Sequence, residues 1–238
     1  LRILAFDTAT RATTVALCDT SDGGFELEAR DDPPPGAKPR HTTALMGLIA
    51  DLLEQAGSGW EDLDRIAVGV GPGTFTGLRV GVATARALAR ARRTPLVGVS
   101  TLRSLAMNAT SAQTGFESVL AVLDARRSEV FVAGWAPGEA ALPDRPPRVA
   151  PMTCSPEALA ARIAGTPTLA IGEGAVEFRA VLERAGAAIP GDDSELHRAT
   201  AINHCRIAFR LRACAPQQVL PEYLRLPDAE IARRATTR

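Results

Sequence analysis

Gly69–Gly81 reads GVGPGTFTGLRVG, a run rich in glycine and threonine between a predicted strand, Arg65–Val70, and a predicted helix, Thr76–Arg92. Glycines at 69, 71, 73 and 77 let the backbone turn sharply and approach another group closely. Pro72 fixes one torsion of that turn. Thr74 or Thr76 can cap the helix, leaving free N–H groups at a positive helix end that suits an anion. Read from Gly69, the run is not a Rossmann fingerprint, because the third glycine of G-x-G-x-x-G falls on Thr74. It is not a P-loop, because no Gly-Lys-Ser/Thr follows. Two readings stay open on this chemistry: a structural turn whose glycines serve packing, and an anion site.

Upstream, Leu1–Ala5, Thr13–Cys18 and Phe25–Ala29 read as three strands, joined by Asp7-Thr8-Ala9-Thr10 and the turn Ser21-Asp22-Gly23-Gly24. Asp31–Arg40 is a proline-rich loop. A helix is expected over Thr42–Ala56, capped by Thr42 or Thr43, with Leu45, Ile49, Leu52 and Ala56 on one face. Met46 and Leu53 widen that stripe beyond what one sheet contact needs. In the next helix Gly77, Gly81 and Ala85 fall at i, i+4 and i+8. Glycine inside a helix costs about 1 kcal/mol relative to alanine, so this stripe implies close approach by something, either the chain's own sheet or another helix. Pro95–Val99 reads as a strand and Leu102–Asn108 as a short helix.

The second half repeats the pattern. Strands are expected at Ser118–Asp124, Glu129–Trp135, Arg148–Met152 and Thr168–Ile171. Helices are expected at Pro156–Ala164 (capped by Ser155), Val176–Ala185 and Glu195–Ala213. Each half reads β-β-β-α-β-α, which predicts an α/β protein of two lobes: residues 1–103, a connection over 104–117, and residues 118–238 ending in a basic, frayed tail.

The 238 residues are 46% hydrophobic and 23% charged, ordinary for a globular protein and enough for a core without disulfides. The 27 basic and 27 acidic side chains split 12 against 13 over residues 1–119 and 15 against 14 over 120–238. Neither half has the positive excess that direct nucleic-acid binding recruits. Trp60 and Trp135 are too few for a base-stacking surface. Cys18, Cys154, Cys205 and Cys214 show no C-x-x-C, and His41, His197 and His204 form no H-x-x-x-H, so neither a disulfide framework nor a metal site is expected. His204-Cys205 reads as ordinary packing. With no secretory pattern at the start and no apolar run long enough to cross a membrane, the chain is expected to be cytoplasmic.

Asp7 ends the first strand, where a carboxylate suits a metal-bound nucleotide phosphate or, more simply, a turn cap. The matching turn of the second half, Asp124-Ala125-Arg126-Arg127-Ser128, has two long arginines where a phosphate loop would want glycine.

Together, Leu4–Thr10, His41, Gly71–Gly81, Val97–Ser100, Asp124–Phe131, Gly172–Ala175 and Pro221–Arg225 resemble the TsaB family, also called YeaZ, over residues 1–226. The departures are Thr74 where serine is common and Thr42 where serine usually follows the histidine. The resemblance implies an actin/Hsp70/sugar-kinase-like fold with ribonuclease H-like repeats. It implies a non-catalytic subunit in the synthesis of N6-threonylcarbamoyladenosine at position 37 of tRNAs that read codons beginning with A. The transfer would belong to a TsaD-type partner that holds the ATP and the metal, with none bound tightly by this chain. A TsaE-type ATPase would join the pair, tRNA would be met only through the complex, and a homodimer would form when the partner is absent. The partner face would comprise Met46, Ile49, Leu53, Leu78, Gly81, Val82, Ala85 and Arg86, and Val82→Glu would break the complex in a folded monomer. Asp7, Thr8, Gly71, Gly73, Thr74, Thr76, Gly77 and Arg79 would mark a vestigial anion site. The competing reading is a stand-alone enzyme, kinase-like and ATP-binding or peptidase-like; the chain shows no metal dyad, Ser-His-Asp order or Gly-Lys-Ser/Thr loop to support it.

Overall fold

A computed structural model describes residues 1–34, 36–110, 113 and 115–225. The expected tail after Pro227 lies outside the described residues, as does part of the 104–117 connection. The first lobe runs β1 (Arg2–Asp7), β2 (Thr13–Asp19), β3 (Glu26–Asp31), α1 (His41–Gln55), β4 (Arg65–Gly71), α2 (Phe75–Arg92) and β5 (Leu96–Ser100). After α3 (Thr101–Ala106) come β6 (Ser118–Arg126), β7 (Glu129–Trp135), β8 (Val149–Cys154), α4 (Pro156–Ile163), β9 (Thr168–Ile171), α5 (Glu173–Glu177), α6 (Arg179–Arg184), β10 (Ala187–Ala188) and α7 (Ala201–Arg210).

The two sheets are ordered β3-β2-β1-β4-β5 and β10-β9-β6-β7-β8. In each, the first strand pairs antiparallel with the second and parallel with the fourth. This is one plan used twice, the two-lobed actin-like, ribonuclease H-like architecture. The central strands β1 and β4 are buried on both faces and read as nearly unbroken apolar runs, whereas the edge strand β3 (ELEARD) is charged and half-buried.

Side chains alternate across a strand, so β1 sends Leu4 and Phe6 to a core shared with α1 and α2, and Ile3 and Ala5 to the opposite face. That opposite face is covered by α7, whose Ala201, Cys205, Ile207 and Ala208 pack against Ile3, Ala5, Ala16 and Ala67. Conversely, Leu102, Leu105 and Ala106 of α3 pack into the core of the second sheet with Val119, Ala121 and Leu123. The lobes therefore exchange helices, and the expected division into 1–103 and 118–238 is corrected: α3 serves the second sheet and α7 returns to the first.

The predicted helix Glu195–Ala213 is also corrected. It is a turn over Glu195–His197 that ends at Arg198, followed by α7, which Thr200 caps. The Thr200 Oγ1 accepts from Ile202 N at 3.2 Å, and Glu28 Oε1 of β3 accepts from Ala201 N at 2.6 Å and from Thr200 Oγ1 at 2.5 Å. A carboxylate at a helix N-terminus satisfies donors that have no partner inside the helix. Glu28→Ala is expected to lower stability by about 1.5–3 kcal/mol, the range for hydrogen bonds to a charged group; a chemical denaturation midpoint equal to that of the parent chain would refute it.

Smaller corrections follow from local chemistry. Helix α1 begins at His41 after Arg40, with no side-chain cap from Thr42 or Thr43. Helix α2 begins at Phe75, and its N-cap residue Thr74 gives no side-chain cap bond. The helix predicted over Val176–Ala185 is two short ones, α5 and α6, meeting at Phe178. Ser155 caps α4 as expected, accepting from Ala158 N at 3.2 Å. All four cysteines are free thiols. Among the described residues no helix is long and apolar enough to cross a membrane.

Candidate functional site

The β1–β2 turn packs directly onto the start of α2. Thr74 N donates to Ala9 O at 2.7 Å, and Thr8 Oγ1 donates to Gly77 O at 2.7 Å. A Cβ on Gly77 would land on the Thr8 carbonyl, and one on Gly81 would strike Thr8 Oγ1. The glycine stripe of α2 is thus the geometry of close approach to its own first turn, which is the packing alternative. Thr8 is 1% exposed, while Thr76 and Arg79 lie on the surface of α2.

Asp7 is 3% exposed and spent entirely on its own chain. Its carboxylate accepts from Ala9 N at 2.6 Å and from Thr101 Oγ1 at 2.7 Å, and lies 2.9 Å from His204 Nε2. On the far side of the ring, His204 Nδ1 is 2.9 Å from Ser104 Oγ and 3.0 Å from Thr200 O. Burial pushes the Asp7 carboxyl upward, but His204, Ala9 N–H and Thr101 O–H together hold it below its ordinary 3.8. Asp7, His204 and Ser104 form an acid–imidazole–hydroxyl chain of the sort hydrolases use. Ser104 and His204 are both fully buried, so no substrate reaches them. The trio joins β1, α3 and α7. Sequence reasoning missed it because its members lie about a hundred positions apart and carry no local motif. Asp7 makes the turn cap, its carboxylate accepting from Ala9 N.

Between the lobes lies a cleft of about 370 Å³, lined by Thr10, Arg11 and Arg30 on one side and Leu123, Glu173 and Glu177 on the other. Its charges are of both signs and several are already paired. Arg11 donates to the carbonyls of Pro34 and Ala37, and Arg30 pairs with Asp32. Burial, then Asp124, push the Glu173 carboxyl up, while Arg126 and Arg11 pull against them. His197 Nδ1 accepts from Gly172 N at 3.0 Å, which fixes the turn before α5. Asp124 repeats the role of Asp7, accepting from the backbone N–H two residues on, here Arg126, at 2.7 Å. Its other oxygen pairs with the Arg126 guanidinium at 3.0 Å. Among the described residues no group of three or more His, Cys, Asp or Glu side chains is placed to hold a metal.

The helical face expected to receive a partner is turned differently. Ile49, Leu53, Leu78, Val82 and Ala85 are between 0% and 5% exposed, and Gly81 is buried as well. These six belong to the chain's own interior and offer no surface, a correction to that assignment. Only Met46, at 44% exposed, and half-buried Arg86 emerge. The period of the stripe was legible but its direction was not, since a small-residue row fits a sheet turn as well as a foreign helix. The exposed faces carry Met46, Gly47 and Ala50 on α1, and Arg79, Ala83, Ala87 and Arg90 on α2. Helix α1 has Asp51 and Glu54 and no arginine or lysine; α2 has Arg79, Arg86, Arg90 and Arg92 and no acid.

Comparison with known proteins gives matches of three kinds. The family described as TsaD: tRNA N6-adenosine threonylcarbamoyltransferase matches residues 33–182. The tRNA threonylcarbamoyladenosine biosynthesis protein TsaB of Escherichia coli (strain K12) is 40% identical over 138 residues, 57% of this chain and 54% of that protein. The protein of the same name from Haemophilus influenzae is 35% identical over 55% of this chain and 52% of its own. These matches span about half the length of the curated relatives. An uncharacterized protein of Mycobacterium tuberculosis is 32% identical over 96% of this chain and 93% of its own. Among solved structures, YeaZ from Pseudomonas aeruginosa superposes with a TM-score of 0.75 at 28% identity, covering 94% of this chain and 99% of that one.

Proposed function

Because this chain belongs to the TsaB (YeaZ) family, we propose that it is the non-catalytic, activating subunit of a complex that forms N6-threonylcarbamoyladenosine at position 37 of tRNAs reading codons that begin with A. The observation that carries the reading is the state of Asp7. The carboxylate best placed to hold a metal-bound phosphate at the first strand turn is buried and fully engaged by Ala9, Thr101 and His204. The second such turn is filled by Arg126 and Arg127. ATP, the metal and the transfer step then fall to a TsaD-type partner, and a TsaE-type ATPase joins the pair.

The docking face in this reading is the outer surface of α1 and α2. Small residues (Gly47, Ala50, Ala83, Ala87) let a partner helix come close, and Asp51 and Glu54 on one helix with Arg79 and Arg90 on the other fix its register by charge. The same division of charge makes the face self-complementary, so a homodimer forms there when the partner is absent. tRNA is met through the assembled complex.

The test is reconstitution with cognate synthase, TsaD-type and TsaE-type subunits, ATP, threonine, bicarbonate and tRNA, with and without this chain. Modification is expected to require the chain, while the chain alone neither modifies tRNA nor hydrolyses ATP. Unchanged modification in its absence, or ATP hydrolysis by the isolated chain, would overturn the reading in favour of an enzyme acting alone.

A further inference from the structure

The last described residues pass from one lobe to the other within four positions. Val219 is buried in the core of the first lobe, and Glu222 N donates to Val70 O at 2.7 Å at the end of β4. The Tyr223 ring lies 5.2 Å from that of Phe75, and its hydroxyl accepts from Arg79 Nε at 3.2 Å. The Arg79 guanidinium stacks 3.7 Å over Phe75. The next residue, Leu224, already packs on the core of the second lobe, and its carbonyl accepts from Thr153 Oγ1 at 3.5 Å. Arg225, with a side chain 16% exposed, donates to Ala125 O at 2.6 Å and to Arg126 O at 3.5 Å, and sits 3.3 Å from Glu129 Oε2.

What Arg225 grips is an unfavourable turn. Arg126, Arg127 and Ser128 have φ of 65°, 54° and 57° in succession. Left-handed backbone disfavours residues with a Cβ, and hairpin turns of this kind prefer Asn-Gly. The residue types at 126–128 do not favour this geometry, so it must be held by other groups. Arg225 supplies that hold from one side through two carbonyls, and Asp124 from the other through Arg126 N.

We infer that Glu222–Arg225 is a strap that fixes the angle between the lobes, with Arg225 as the pin that seats it on the β6–β7 turn. It adds a second tie to the one made by α3 and α7, so the cleft keeps one width. The inference goes beyond the proposed function and does not depend on it, because the isolated full chain reports it.

The test is hydrogen exchange of the full chain carrying Arg225→Met, which keeps the apolar stem and removes the donors. Amides over 124–130 are expected to exchange about tenfold faster or more, with a matching rise over the cleft-lining Thr10–Ala12 and α5, while β1 and the preceding part of β6, Val119–Leu123, stay protected; this is the pattern of a local opening rather than global unfolding. Unchanged exchange over 124–130, or a rise spread evenly over the chain, would overturn the inference. Should Arg225→Met fail to fold, Glu129→Gln removes only the carboxylate from the pin. The same local pattern at smaller size then supports the strap, and its absence refutes it.

Discussion

Val82→Glu is expected to unfold the chain, whereas Ala83→Glu, one position further along α2, is expected to leave it folded and remove it from the complex. Val82 is 3% exposed within the core that includes Leu4, Ile66 and Val68. A carboxylate there meets no partner, and an unpaired buried charge costs several kcal/mol even after relaxation. Overpacking adds about 1–3 kcal/mol. Against a total stability on the order of 5–15 kcal/mol, that removes most of the margin. Ala83 is exposed, and a surface change there stays within about 0.5 kcal/mol of neutral. Its effect falls on docking, where a bulky acid interrupts the small-residue row and pairs with the flanking arginines that would meet the partner. Circular dichroism during urea titration separates the first outcome, and gel filtration with the TsaD-type subunit the second. A Val82→Glu chain with an unaltered unfolding midpoint would mean that the helix is turned the other way.

Asp7→Ala is expected to cost about 3–5 kcal/mol, because it strands buried donors at about 1–3 kcal/mol each. Thr101 and the Ala9 N–H would lose their acceptor, and buried His204 Nε2 would lose the carboxylate that lies 2.9 Å away. For a chain of this length that lowers the melting temperature by roughly 6–20 °C. Acid provides an independent check. The folded carboxyl titrates below its ordinary 3.8, so its contribution is whole above that pH and fades as pH falls through the lower folded value. Asp7→Asn carries no such contribution, so the stability gap between it and the parent chain should narrow only below about pH 4. A gap that is flat down to full protonation would show that the ionised form of Asp7 does not support the fold.

The strand plan was legible because its signals are local. Alternation and apolar runs mark β1, β2 and β4, and Ser155-Pro156 announces α4. The return of α7 to the first sheet had a signal too, though a subtler one. Strand β1 is apolar at every position from Ile3 to Phe6, so both of its faces need cover, yet α1 and α2 share a single core. The missing cover had to come from elsewhere in the chain, and the small residues Ala5, Ala16 and Ala67 on the open face admit a helix closely. The candidate site was less legible. Period tells which residues share a helix face but not which way the face looks, and so Ile49, Val82 and Ala85 were placed outside. The Asp7–His204–Ser104 contact is made by tertiary packing alone, and nothing in the neighbourhood of any one of the three points to the other two.

The exchange of helices has a consequence for how the molecule comes to exist. A chain made from its N-terminus presents all five strands of the first sheet long before residues 201–210 are synthesised. Until then the face bearing Ile3, Ala5, Ala16 and Ala67 has no permanent cover. Domains ordinarily fold in the order they leave the ribosome; here the first lobe must wait for α7, made about a hundred residues after its fifth strand. A cut near residue 110 would leave the first sheet without α7, so the native first lobe is complete only once residues 201–210 are present.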